Sequence, residues 1–204
     1  MSLTRHFSQD NIVLFFMYFY LVFFAILSFM RDNTEFLYYA VVLILCLFVL
    51  EGLHKKLRFP VFILVIFALY GLLHFIGGLF TYKGTLIYEL NFLIFGYDNL
   101  IHTITSFLLA FVGFSLLEPS LIERVKKRKF YFGFLIFIVG FGLASLGEII
   151  ELTGVVFLGA TTVGDYLNNA VDILFNAIGS LIASLILVRH YAKKDLIKVK
   201  PSKS

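Results

Sequence analysis

Acidic, amide and imidazole side chains occur in the most apolar part of this chain. The two apolar segments between residues 144 and 183 include Glu148, Glu151, Asp165, Asn168, Asp172 and Asn176. Earlier apolar segments contain His74, Asp98 and His102. A carboxylate inside a membrane-length apolar segment costs several kcal/mol. Several carboxylates near one turn therefore predict either a functional site or a set of partner groups that offset this cost.

Spacing places these residues on common helix faces. Asp98 and His102 are four positions apart, and Glu148 and Glu151 are three apart, so each pair shares one face of a helix. A third face advances by three or four positions at a time: Asp165, Asn168, Asp172, Asn176 and Gly179. A face of Asp and Asn cannot point at lipid. We therefore predict that these faces point into a helix bundle.

Carboxylates that share a low-dielectric pocket cannot all stay ionised without compensating positive charge. Protonated histidine, shared protons or a metal ion can supply it. Two imidazoles with several carboxylates suit zinc, manganese or iron, whereas an all-oxygen site would suit calcium or magnesium. A metal ion here would activate water. We therefore expect a divalent metal as the cofactor of a membrane hydrolase, although no HExxH-type signature occurs in the sequence.

This interpretation gives each residue a role. We expect four metal ligands, which are His74, His102, Glu148 and Asp172. We expect the general base to be Glu151 or Asp165. The rest of the polar pocket would be Asp98, Asn168, Asn176 and Tyr82.

Two alternatives use the same residues. In the first, the protein binds or transports a cation or relays protons. In the second, the cluster is a polar clamp that ties helices together without catalysis. Asp98 and Asp165 also fit as helix N-terminal caps, and His74 fits as a hydrogen-bonded interior histidine. Few polar residues follow Asn176 along the last segment, which favours a one-sided site over a transport route.

Composition identifies the elements that must position these side chains. The chain has 204 residues, 60% hydrophobic and only 15% charged, which excludes an ordinary soluble domain. We predict an all-α, polytopic integral membrane protein with a single transmembrane domain over 1–204. Six windows reach the length of a membrane span: 12–30, 36–53, 60–82, 98–117, 130–152 and 166–189.

The basic residues predict the orientation of these six helices. Fifteen of the 17 Lys and Arg residues lie on the side of the termini, including the run RVKKRK and the tail 190–204. Because positive residues mark cytoplasmic loops, we expect both termini in the cytoplasm and a multi-pass location in the inner membrane. The basic residues are therefore topology signals, and no nucleic-acid partner is expected. The run RVKKRK also fits contact with anionic lipid, although a solvated loop that sets topology is the preferred interpretation. In this frame the polar cluster lies in the outer half of the bilayer.

Two outer loops are unusual. Segment 83–97 has apolar residues at a helix-like spacing, so we expect it to lie in the interface or to dip into the protein. Segment 153–164 has no charge. Either the fifth helix continues past Leu152, or this loop folds inward.

Four motifs support a family resemblance: LLHFIGGLFTY, YDNLIH, GEIIE and GDYLNNAVDILFNAIG, in that order. With them, helices three to six resemble the YjdF-type family of bacterial inner-membrane proteins. The patterns DxxxH and DxxxNxxxG, with the acidic pair, are more loosely similar to VanZ-like membrane proteins. The second resemblance implies a small helical bundle with an outward-facing polar site. Beside the lipid bilayer, we expect a lipid-linked or small-molecule envelope substrate; the sequence predicts neither its identity nor the oligomeric state.

Overall fold

The structure is a computed structural model that describes residues 8–92, 95–160 and 164–198, with side chains described as far as Tyr191. The predicted basic tail lies outside the described residues from position 199 onward, as do residues 1–7.

Seven α-helices make up most of the described residues. They are α1 (Gln9–Met30), α2 (Thr34–Leu57), α3 (Val61–Leu79), α4 (Tyr97–Leu117), α5 (Glu123–Lys127), α6 (Lys129–Leu158) and α7 (Tyr166–Lys198). All except the five-residue α5 are long and apolar enough to cross a membrane. The prediction of an all-α membrane protein with six spans is therefore confirmed.

The third helix is shorter than predicted. It ends at Leu79 and not at residue 82, because Phe80 is extended (φ −121°, ψ 151°) and the chain enters a hairpin. Strands β1 (Thr81–Tyr82) and β2 (Thr85–Leu86) pair across Lys83 and Gly84, which both have positive φ, 52° and 85°. Such a two-residue turn matches the twist of the strands.

The loop before α4 forms two short hairpins, and its expected position in the interface or within the protein stays a prediction. After β2 a single 3-10 turn covers Ile87–Glu89, and β3 (Asn91–Phe92) pairs with β4 (Phe95–Gly96) in a second hairpin. Residues 93 and 94 of this segment lie outside the described residues. The fifth predicted span does continue past Leu152, as one of the two alternatives held, and α6 ends at Leu158 before Gly159 (φ 66°).

The chain divides into two compact units. The first unit comprises Met1–Ile101 with Ile150–Gly164, and the second comprises His102–Ile149 with Asp165–Ser204. The single domain expected over 1–204 stays a prediction.

The first unit packs α1, α2 and α3 through aromatic rings. Phe24 of α1 stacks on Phe75 of α3 with ring centroids 4.8 Å apart. Gly78 of α3 faces the Phe36 ring so closely that a Cβ would overlap it. Arg31, just after α1, donates from Nη1 to the Leu79 carbonyl at 2.6 Å and so joins the ends of α1 and α3.

The second unit packs α4, α6 and α7 around a small apolar core. Its buried members are Ala110, Phe114, Phe132, Ile136, Ala183 and Leu187. Small residues allow the helix backbones to approach closely. A Cβ at Gly140 of α6 would overlap Ala110 of α4, and a Cβ at Gly179 of α7 would overlap the Thr103 carbonyl oxygen. These contacts fix the three helices whose polar faces form the candidate site.

Candidate functional site

His102 lies on α4 between two buried carboxylates of the second unit. Its Nδ1 is 3.2 Å from Glu148 Oε1, and its Nε2 is 3.7 Å from Asp172 Oδ1. The three residues are 9%, 8% and 1% exposed, in the order His102, Glu148, Asp172. One imidazole therefore links a carboxylate from α6 to a carboxylate from α7.

Two amides of α7 hold the Glu148 carboxylate. Asn176 Nδ2 donates to Oε1 at 2.6 Å, and Asn169 Nδ2 donates to Oε2 at 3.1 Å. Hydrogen bonds to a charged acceptor offset much of the cost of burying it. Both oxygens of Glu148 are thus fixed in position, and one of them faces His102.

A third amide orients Asp172. Asn168 Nδ2 donates to Asp172 Oδ2 at 2.7 Å, one helical turn away. The backbone N–H of Asn168 in turn donates to Asp165 Oδ1 at 3.0 Å. Asp165 therefore caps the start of α7, where a carboxylate complements the helix dipole, and its side chain is exposed.

The polar face of α7 continues further than expected. Asn176 and Ser180 are 1% and 0% exposed, and within the described part of the chain neither Asn176 Oδ1 nor Ser180 Oγ has a hydrogen-bond partner. Ser184, one more turn along, donates to the Gly133 carbonyl at 2.7 Å. Buried polar atoms without partners are uncommon and often bind ordered water.

The other residues predicted for the site belong to the first unit. His74 Nδ1 hydrogen bonds with the Tyr88 hydroxyl, and the rings of Tyr39 and Phe36 lie 5.3 and 5.6 Å from the imidazole. This is the aromatic, hydrogen-bonded interior environment that the alternative interpretation of His74 described. Burial raises the pKa of Tyr88 well above its ordinary value.

Acidic groups of the first unit lie near the same tyrosines. The carboxylates of Asp98 and Glu151 interact electrostatically with the hydroxyl groups of both Tyr39 and Tyr88. The Glu35 carboxylate interacts in the same way with Tyr39. Glu35 is buried in the first turn of α2. It was not predicted as a site residue, because it stands beside a turn with charged residues.

Tyr82 and Asp98 also belong to the first unit. Tyr82 lies on β1 with 57% exposure, and the Lys83 ammonium is 5.3 Å from its ring centroid. Asp98 lies one turn before His102 along α4.

Of the predicted residues, the second unit brings together His102, Glu148, Asn168, Asp172 and Asn176, and Asp165 caps the same helix. Two residues of this arrangement were missed, Asn169 and Ser180. Asn169 is seven positions before Asn176, a spacing that places both on one helix face, and this signal was available in the sequence.

The arrangement can hold positive charge. Lys and Arg occur in α4, α6 and α7 only at Lys129 and from Arg189 onward, several turns from the cluster. A protonated imidazole would place its positive charge between the two carboxylates and donate from Nδ1 to Glu148. A neutral imidazole that donates from Nδ1 to Glu148 would instead leave the Nε2 lone pair facing Asp172, as in a metal-binding histidine.

Comparison with known protein families gives a match over most of the chain. Residues 12–193 match the family described as "Predicted membrane protein (DUF2238)". No curated protein and no solved structure matches the chain significantly.

Proposed function

We propose that the second unit binds a divalent metal ion through His102 and Asp172. The chain belongs to the DUF2238 family of predicted membrane proteins. Zinc, manganese and iron suit this mixed nitrogen and oxygen donor set. The ion would activate water for hydrolysis of a lipid-linked or other envelope substrate.

The separation of His102 Nε2 and Asp172 Oδ1, 3.7 Å, carries the proposal. It is too long for a direct hydrogen bond. Two ligands at about 2.1 Å from one tetrahedral ion are roughly 3.4 Å apart. The two atoms therefore need only a small adjustment to share an ion.

Glu148 supports the same proposal from the opposite side of the ring. A metal-binding histidine usually donates its other ring N–H to a carboxylate, which fixes the tautomer and orients the ring. Glu148 Oε1, 3.2 Å from Nδ1, occupies that position. We therefore assign Glu148 an orienting role in place of the ligand role expected from the sequence.

Charge balance agrees with a divalent ion. The buried carboxylates of Glu148 and Asp172 carry two negative charges when ionised, and a divalent cation with a neutral His102 would balance them. Buried charges are otherwise costly unless they are paired. His74, which is bonded to Tyr88, is not among the proposed ligands.

We propose that the substrate reaches the site at the exposed start of α7. Asp165 lies two turns before Asp172 on the same face and is exposed, so we propose it as the candidate general base. The distribution of basic residues supports cytoplasmic termini in an inner membrane and a site that opens to the outer leaflet. The looser resemblance to VanZ-like proteins, which implies an outward-facing polar site, supports the same orientation.

Metal analysis of detergent-purified protein tests the proposal. We expect about one equivalent of metal in the wild type and its loss in both His102→Ala and Asp172→Asn. The control Ser145→Ala, which removes an α6 hydroxyl that donates to the Phe141 carbonyl of the same helix at 2.9 Å, should keep the metal. A wild type without metal after growth and purification in added zinc, manganese or iron would refute it.

A second candidate function is proton or monovalent cation handling. Both ring nitrogens of His102 face carboxylates, and the polar face of α7 continues inward to Ser184. Proteoliposomes with a pH-sensitive dye inside would then show proton flux that His102→Ala abolishes. If neither metal nor flux is found and the variants only lose stability, the cluster is a polar clamp between helices.

A further inference from the structure

We propose that the second unit also binds an anionic phospholipid, in a groove between the beginning of α6 and the facing part of α7. The groove has a volume of about 530 Å³. Its residues are separate from His102, Glu148 and Asp172, so the proposal does not depend on the metal centre.

The walls of the groove suit an acyl chain. Phe130, Phe134 and Phe137 of α6 line one side, and Leu181 and Leu185 of α7 line the other. Most of these side chains are exposed in the isolated chain, including Phe130 at 78%. Apolar walls with no unsatisfied polar group favour a hydrocarbon ligand over a polar one.

The floor of the groove exists because Gly133 has no side chain. A Cβ at this position would lie 3.0 Å from Val188 and 3.2 Å from Ser184 Oγ, so the backbones of α6 and α7 approach closely here. Ser184 Oγ donates to the Gly133 carbonyl at 2.7 Å. The polar atoms of the floor are therefore paired with each other.

The end of the groove carries positive charge. Lys129, the first residue of α6, is its one charged lining residue. The neighbouring Lys126 already bonds Glu118 at 2.6 Å, and the Arg128 guanidinium lies 5.7 Å from the Tyr131 ring centroid. Among the side chains that the structure describes, Lys129 has no acidic partner.

A lipid phosphate matches this arrangement of an apolar groove that ends at a lysine. Arg189 directly follows the lining residue Val188 and adds a second exposed cation at this end of α7. Basic residues beside membrane helices attract anionic headgroups, and basic pockets between helices bind them. The occupant is therefore an anionic phospholipid, with its chain against the Phe and Leu walls and its phosphate at Lys129.

A groove in the first unit provides a matched control. It runs along α1, has a volume of about 400 Å³, and is lined by Phe15, Tyr18, Phe19, Val22, Phe23 and Ile26. It contains no charged residue. Ordinary lipid contact should occur at both grooves, whereas preference for an anionic headgroup should require the groove that ends at Lys129.

Native mass spectrometry of the full-length, detergent-purified protein tests this proposal. Phosphatidylglycerol and phosphatidylcholine with identical acyl chains would be titrated separately. We expect the wild type to bind phosphatidylglycerol at least fivefold more tightly. Lys129→Gln should lower its affinity for phosphatidylglycerol about fivefold, since one lysine near the membrane contributes about 1 kcal/mol, and leave binding of phosphatidylcholine unchanged.

Two tryptophan variants locate the binding site. Leu185→Trp fills the proposed groove from an exposed position and should weaken binding of phosphatidylglycerol, whereas Val22→Trp in the control groove should not. Equal affinity of the wild type for both lipids would overturn the proposal. So would full retention of the preference in Lys129→Gln, or equal weakening by the two tryptophan variants. Thermal unfolding of each variant checks that the fold is intact.

Discussion

Gly179→Ala should separate two of the helices that carry the candidate site. Gly179 lies on α7 between Asn176 and Ser180, where a Cβ would overlap both the Thr103 carbonyl oxygen and Ser106 Oγ of α4. The hydroxyl can rotate, but the carbonyl belongs to the backbone of α4. The helices must therefore move apart, and His102, which precedes Thr103, must move relative to Asp172.

The size of this effect follows from two opposing contributions. Alanine in place of glycine inside a helix gains about 0.5–1 kcal/mol. Overpacking against a close neighbour costs about 1–3 kcal/mol. Gly142→Ala in α6 measures the first contribution alone, because nothing lies within 4 Å of the new Cβ.

Thermal unfolding in the same detergent compares the two variants. We expect Gly142→Ala to match or exceed the wild-type Tm and Gly179→Ala to unfold roughly 2–12 °C below Gly142→Ala. Metal affinity should fall only in Gly179→Ala. Equal Tm values for the two variants would show that α4 and α7 are not in contact at Gly179, and the reasoning would fail.

Three further predictions concern single side chains. Glu148→Gln should lower metal affinity 10–100-fold while stoichiometric binding persists at high metal, as measured by competition with a chelator. It removes the carboxylate beside the proposed ligand His102 and one of the two acceptors of Asn169 and Asn176. An unchanged affinity would exclude the orienting role. Asn168→Ala removes the donor to Asp172 Oδ2 and should weaken metal binding in the same assay without affecting the backbone cap of α7; loss of helix content by circular dichroism would contradict this. Burial raises the pKa of Tyr88 well above its ordinary value of 10.0, so above pH 10 the unfolded chain loses this proton while the folded protein keeps it. The stability of the wild type should therefore fall as the pH rises above 10. Tyr88→Phe loses about 1 kcal/mol with the bond to His74 at every pH, but its Tm should fall less than that of the wild type over this pH range.

The membrane spans were predictable because hydropathy depends on local composition. All six apolar runs form helices, and most boundaries agree within a few residues. Hydropathy does not show how far a helix continues outside the bilayer, so the end of α7 at Lys198 was missed. It also does not show backbone turns, so strand β1 of the first hairpin, Thr81–Tyr82, was taken for the end of the third helix.

The polar face of α7 was predictable from the sequence, but which of its side chains bonds which carboxylate was not. Asn168 and Asp172 bond each other at a spacing of four, while Asn169 and Asn176, seven apart, both bond Glu148 of α6. The face is wide because α7 contacts two helices in the second unit, and a single row of positions describes only part of it. Ser180 was missed because serine was not counted among the polar residues of the site, although it is one turn from Asn176.

Anomalous diffraction at a metal absorption edge, from crystals of the metal-loaded protein, tests the central claim most directly. We expect one peak within about 2.0–2.2 Å of both His102 Nε2 and Asp172 Oδ1, with Glu148 bonded to His102 Nδ1. A direct hydrogen bond from His102 Nε2 to Asp172, with no anomalous peak beside it, would contradict the metal centre.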